Sequence, residues 1–339
     1  MLFDGITEPR MHFAVEEALL RGVADGTSSE TLRLRRCEPS VWIGVHQYPN
    51  EDVDLGYCEA KRLTVVRRPN PGGAVYQDAG SLCFTAFFNK SDSLKRLGIS
   101  EPGELYRVLG EAIIRVCARF GVEAAISPVN DVTVAGRKVY GSAQLELYGG
   151  FAHSGSLLVG TDLDAMQKAL RPSNLKFEGK GFKDVRSRVT SLSEVTGKGI
   201  KLDEVQNVMV EEISRAMGVR PSPGGLSERE FARAKSLFDS KYGTHDWTFR
   251  ERGKYTTVLS TKAKSGVVTV SMQLDGDKIS RADIHGDFLL NDQGELERVK
   301  AALNDASLGD ARGIVARSAL PGDVKDAVDE LLIRAEAGR

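Results

Sequence analysis

The sequence predicts an α+β protein in two unequal parts, a larger domain with a mixed sheet and flanking helices, then a small α+β domain. Three observations carry this. Residues 103–120 show clear 3.6-residue apolar periodicity between runs of β-branched residues. At "GVRPSPGGLSERE", residues 218–230, prolines and glycines interrupt the pattern. Beyond that break a hairpin pattern is followed by two helical ones. The expected bounds are 1–220 for the larger domain, 221–245 for a linker region and 246–339 for the tail.

The elements follow in order. In "HFAVEEALLRGVADG", Phe13, Glu16, Glu17 and Leu20 set apolar and acidic faces at helical spacing, with Gly22 and Gly26 as stop signals. "TLRLRRCEPSVWIGVHQ" and "RLTVVRR" read as strands between turn formers. Leu105, Leu109, Ile113, Val116, Cys117 and Phe120 define the periodic helix. "DVTVAGRKVYGSAQLELY" and "HSGSLLVG" read as strands joined by Ala-Gly and Gly-Gly turns. In the tail, a hairpin turns at Asp275-Gly276-Asp277 before the helical patterns "GELERVKAALND" and "VKDAVDELLIRAEAG".

Composition excludes several function classes. A chain of 339 residues, 41% of them hydrophobic, can bury a sizeable core. Forty-six basic residues against 47 acidic ones leave a net charge of -1, so no global field draws nucleic acid or a membrane surface, and any anion site must be local. Cys37, Cys58, Cys83 and Cys117 lack metal-ligand or disulfide-scaffold spacing, which predicts buried thiols in a reducing cytoplasm. No signal peptide and no membrane span is expected, and a monomer is the default.

Two segments carry the chemistry. In "VVRRPNPGGAVYQDAG", Arg67 and Arg68 end a strand, and Gly72-Gly73-Ala74 lets backbone N–H groups approach a ligand. Guanidinium forks beside free amides suit phosphate or carboxylate, although no "GK[ST]" or GxGxxG is present. A plain turn with two solvated arginines is the competing reading. In "NDVTVAGRKVYGSAQ", Lys138 projects from a strand whose neighbours Gly141, Ser142 and Ala143 are small, and Asn130 and Asp131 offer partners for a hydroxyl or a magnesium ion. Together the segments suggest a nucleotide site.

These two segments resemble the lipoate-protein ligase family, within the wider biotin and lipoate ligase fold. Its pattern of paired arginines and a glycine run meets Arg67, Arg68, Gly72, Gly73, Ala74, Val75, Tyr76, Asp78 and Gly80. Its ND, GRK and GSA elements meet Asn130, Asp131, Gly136 to Lys138 and Gly141 to Ala143. "HSGSLLVGTDL", "VRSRVTSLSEV", "FAVEEALL" and "GVHQYPNEDVD" also resemble family segments, and the tail is similar to the accessory domain of two-domain ligases. The resemblance implies that lipoate or octanoate reacts with ATP, with Mg2+, to give acyl-AMP and pyrophosphate. The acyl group then passes to a lysine of a lipoyl-domain or H-protein-like acceptor. It implies that amides from Gly73 to Tyr76 hold phosphates, that Arg68 meets phosphate or acyl carboxylate, and that Lys138 lies between carboxylate and α-phosphate. Asn130, Asp131, Ser142 and Ala143 join the adenylate site, Asp131 also as metal ligand. Val75 and Tyr76 line an acyl tunnel or belong to ordinary core. His153 and Ser154 fall at the family's HG position, displaced by one residue; His153 is either a pocket residue or a packed histidine.

Asn70, Pro71, Gln77 and Ser81 depart from the family loop, and a proline there removes one backbone donor. The departures point to the acyl chain and acceptor, and to a divergent branch serving lipoate-binding proteins of sulfur oxidation. The alternatives are an octanoyltransferase working through a thioester on Cys83, and a non-catalytic acyl or nucleotide-binding protein.

Overall fold

The computed structural model describes residues 1–2, 5–128, 130–176, 183–290 and 292–338. Its largest sheet has six antiparallel strands in the order β1-β5-β9-β8-β7-β6, where β1 is Thr31–Arg35, β5 Ser81–Phe88, β6 Ala125–Ser127, β7 Asp131–Val134, β8 Arg137–Leu147 and β9 Gly150–Leu158. A second sheet is the mixed one. Its central strand β2 (Ser40–Ile43) pairs in parallel with β3 (Thr64–Arg67) and antiparallel with β4 (Val75–Gln77).

Strand β5, "SLCFTAFF", is buried along its whole length because both faces are covered. Leu82, Phe84, Ala86 and Phe88 join one core with Leu105, Leu109, Ile113 and Val116 of the helix Glu104–Arg119, and with Val205, Met209 and Ile213 of the helix Leu202–Met217. Cys83 and Phe87 point the other way, against the first helix, Pro9–Ala24. That helix starts at Pro9 under a Glu8 cap and runs through Gly22 instead of stopping there. Gly22 is needed for packing, since a Cβ would lie 2.1 Å from Ser28 Oγ.

The β7–β8 hairpin turns at Ala135-Gly136, both at positive φ, as a two-residue turn of that hand requires. The next turn uses Tyr148-Gly149, not the expected Gly149-Gly150, and Gly150 pairs with Leu147 inside the ladder.

The stretch expected as a linker, 221–245, is largely folded. A helix at Glu228–Leu237 opens with a capping box from Ser227 and Glu230 and packs on the first helix, burying Ala234 and Leu237 in its core. Tyr242 Oη donates to Glu17 Oε2 at 2.6 Å, deep in the same interface. The apolar positions of the helix lie between polar ones, so composition alone reads as a break.

The tail carries β10 (Thr257–Ala263), β11 (Gly266–Asp275) and β12 (Lys278–Gly286), covered by the helices Gln293–Leu303, Leu308–Arg317 and Gly322–Ala337. It rests on the larger part. Gly286 N–H donates to His46 O (3.0 Å), Tyr48 Oη donates to Asp283 Oδ2 (2.8 Å), and His46 stacks on Phe288. Among the described residues no helix is long and apolar enough to cross a membrane.

Candidate active site

Strand register builds the floor of the site. Arg35, Cys83, Ser156, Gly141 and Asp131 are cross-strand partners in one row across β1, β5, β9, β8 and β7. Arg33, Thr85, Ser154 and Ala143 form the next row on the same face. Small side chains along both rows leave a trough. The second sheet with its 70–75 loop, Leu170, Pro172, Lys176, Val185, Arg188, Val189 and the tail hairpin roof it into a cavity of about 390 Å³.

Lys138 reaches this trough through a bulge. Val132 pairs with Tyr140 while Thr133 pairs with Lys138, so Val139 is the extra residue. Strict alternation would put Lys138 and Gly141 on opposite faces; the bulge brings them together. A Cβ on Gly141 would sit 2.3 Å from Lys138 Nζ, so glycine makes room for the lysine. The ammonium is 2.6 Å from Asp131 Oδ1, and Asp131 Oδ2 is 3.3 Å from Arg188. Burial lowers the Lys138 pKa, and Asp131 opposes that drop. The segment around Arg188 is seated by Thr190 N–H, which donates to Lys138 O at 2.8 Å.

Arg68 lines the cavity and is also engaged by the main chain. Its guanidinium is buried and donates to Trp42 O (2.8 Å), Pro71 O (3.1 Å) and Gly73 O (2.7 Å). It shapes the loop by tying down its carbonyls, and burial lowers its pKa to about 10. Arg67 is still more enclosed, donating to the carbonyls of Gly44, Val45, Gln47, Trp247 and Thr248, with its pKa lowered to about 9 by burial. Gly72, Gly73, Ala74, Val75 and Tyr76 line the cavity. Gly72 adopts φ 97°, and a Cβ on Gly73 would lie 2.3 Å from Lys176 Nζ.

Asn130 and Ser142 also line the cavity, but they engage each other: Asn130 Nδ2 donates to Ser142 O (2.5 Å) and Ser142 Oγ to Asn130 O (3.1 Å). Ala143 and Ser154 line it as well. His153 faces the helix side of the sheet instead. It is fully buried against Phe84, Tyr106 and Tyr140, 3.4 Å from Gln144 Nε2, and burial lowers its pKa to about 3. Alternation along β9 is the reason, since Ser154 and Ser156 take the cavity side.

Sequence reasoning missed several lining groups. Lys176 pairs with Asp287 of the tail at 2.6 Å, closing one wall. Residues 262–267 and Leu289 of the tail join that wall, and no motif marks them. Asp52, half-buried and near Asp287, has its pKa raised to about 7, first by burial and then by that neighbouring charge. Arg188 lay inside the quoted "VRSRV" segment. For a metal, Asp131 offers one carboxylate, and among the described residues no group of three His, Cys, Asp or Glu side chains comes together. One carboxylate with substrate phosphates is a donor set magnesium accepts.

Comparison with known proteins gives a consistent answer. Residues 8–214 match the family model of the lipoyl protein ligase A/B catalytic domain. The lipoate-protein ligase LplJ of Bacillus subtilis is 29% identical over 304 residues, covering 88% of this chain and 89% of its own. The bipartite lipoate-protein ligase of Thermoplasma acidophilum, solved in a study of that ligase and its E2 lipoyl domain, superposes with a TM-score of 0.64 at 29% identity, over 76% of this chain and 97% of its own. A lipoate-protein ligase A bound with ATP superposes with a TM-score of 0.62 at 27% identity, over 74% and 96%.

Proposed function

The chain belongs to the lipoyl protein ligase A/B family, and from that premise we infer that it is an ATP-dependent lipoate-protein ligase, forming acyl-AMP and passing the acyl group to a protein lysine. The observation that carries the reading is the placement of Lys138 over Gly141, at one end of a trough floored by the small side chains of Gly141, Ala143, Ser154 and Ser156.

The substrate carboxylate would lie beside Lys138, with its acyl chain along the floor rows toward Phe13 and Trp42. In the first step a carboxylate oxygen attacks the α-phosphorus of ATP and pyrophosphate leaves. Lys138 neutralises charge building between the two anions and holds them in line. Asp131 and Arg188 position its ammonium. In the second step the acceptor amine attacks the acyl carbon and AMP leaves. Arg68 acts indirectly, holding the loop whose amides face the phosphates. Asp131 would hold magnesium, which when bound screens phosphate charge.

The acceptor is a lipoyl domain, as in the Thermoplasma system; an H-protein-like acceptor, a monomeric enzyme and a cytoplasmic setting complete the proposal, the last supported by four free thiols. A thioester route would need its thiol at the carboxylate end, whereas Cys83 lies two strands from Gly141.

The test is pyrophosphate release with lipoate, octanoate, biotin or no acid, beside a Lys138→Ala control. Release with lipoate or octanoate, lost in the variant, supports the reading; no release with any acid overturns it.

A further inference from the structure

Of the four cysteines, two are paired in space. Cys37 Sγ lies 4.0 Å from Cys83 Sγ, and Cys83 lines the cavity. Cys58 and Cys117 sit in separate apolar clusters. The surroundings of Cys83 are polar. Its sulfur is 3.4 Å from Gln77 Oε1 and 3.5 Å from Ser156 Oγ, and Arg35 neighbours it in the floor row. Contact with Cys37 and the Arg35 charge lower the Cys83 thiol, whereas burial raises Cys37. Cys83 lines the cavity and Cys37 lies behind it, which makes Cys83 the attacking thiol and Cys37 the resolving one.

The register also sets a length. From Gly141, where Lys138 Nζ rests, to Cys83 is two strand steps, about 10 Å at ~4.8 Å per step, the span of an extended acyl chain of lipoate's length. A carboxylate held at Lys138 therefore puts the far end of the chain beside Cys83. In lipoate that end is a five-membered cyclic disulfide, whose ring forces the C–S–S–C dihedral far from its preferred ~90° and makes the bond easier to reduce.

We propose that Cys37 and Cys83 form a redox-active dithiol that exchanges with the disulfide ring of bound lipoate, giving the enzyme an ATP-independent lipoate-reducing half-reaction. The proposal rests on the ligase reading for the identity of the acyl chain. Cys83 thiolate attacks one ring sulfur, the ring S–S bond breaks, and the released sulfur takes a proton to become a thiol. Cys37 then attacks Cys83 Sγ, the mixed disulfide breaks, and the second lipoyl sulfur leaves and takes up the proton Cys37 has lost. The protein dithiol loses two electrons and two protons, lipoate gains both, and no third reactant is needed.

The experiment uses the full chain, reduced and freed of reductant under nitrogen, then given lipoate or octanoate without ATP. Samples are quenched in denaturant with N-ethylmaleimide and weighed by intact-mass spectrometry. Lipoate should leave two of the four thiols unlabelled, mapped to Cys37 and Cys83, with dihydrolipoate appearing in equal amount; octanoate should leave all four labelled. Cys37→Ser should stall as a covalent lipoate adduct on Cys83. Four labelled thiols after lipoate overturn the proposal. A parallel sample given ATP and lipoate reports acyl-AMP. Acyl-AMP with all thiols retained defeats the dithiol alone, whereas absence of acyl-AMP defeats the ligase reading beneath it.

Discussion

Lys138 and Arg67 are both strand cations near one cavity, and they do opposite work. Arg67 spends its guanidinium on five backbone carbonyls from two distant parts of the chain. Lys138 has one carboxylate partner at 2.6 Å and an ammonium open to the trough. A cation saturated by main-chain oxygens is scaffold, and one left with unfilled donor positions can meet developing charge. Arg68 stands between the two, donating to three carbonyls while lining the cavity.

The largest effect should come from the open cation. Lys138→Ala is expected to lower acyl-adenylate formation about 1000-fold, close to 4 kcal/mol of transition-state stabilisation, with little change in the unfolding midpoint. Pyrophosphate assays beside thermal melts check it, and an equal loss in both would erase the contrast with Arg67.

Arg67→Ala should reverse the pattern. Leaving five buried carbonyls without their donor is expected to cost about 3 kcal/mol of stability in chemical denaturation. An unchanged denaturation midpoint would show that these bonds hold nothing.

Gly141→Ala tests the seat of the lysine. The new methyl would meet Nζ, displacing it, and an activity loss of about 100-fold is expected with the fold retained. Full activity would show that the lysine works from another position.

The smallest effect concerns an acid at the cavity wall. Asp52 has its folded pKa raised to about 7, against an ordinary value of 3.8. Between those values the folded state holds a proton that the unfolded chain has lost, so this group's contribution to stability falls as pH rises from about 4 to 7. Asp52→Asn should flatten that part of the stability profile, read by denaturant midpoints across the window.

Much was legible locally. The helix at 104–119 follows from apolar spacing, and its Leu105, Leu109 and Ile113 are all buried. The Ala135-Gly136 turn follows from turn chemistry. Gly141 and Ala143, singled out for their small size, line the cavity beside Lys138. His153 was ambiguous because its side of β9 depends on a register set across three strands. The helix at Glu228–Leu237 was hidden by the prolines and glycines before it and by its sparse apolar positions.

By itself the sequence determined the helix at 104–119, the Ala135-Gly136 turn and the supply of cations, because each depends on residues a few positions apart. Only the tertiary structure decided which cation stays open, since the carbonyls that saturate Arg67 include one 181 positions away. It also decided that a single bulged residue turns Lys138 toward Gly141, and that Asp287 of the tail closes the wall through Lys176. Hydrogen-bond saturation and facing are sums over neighbours in space, and most of those neighbours are far apart along the chain.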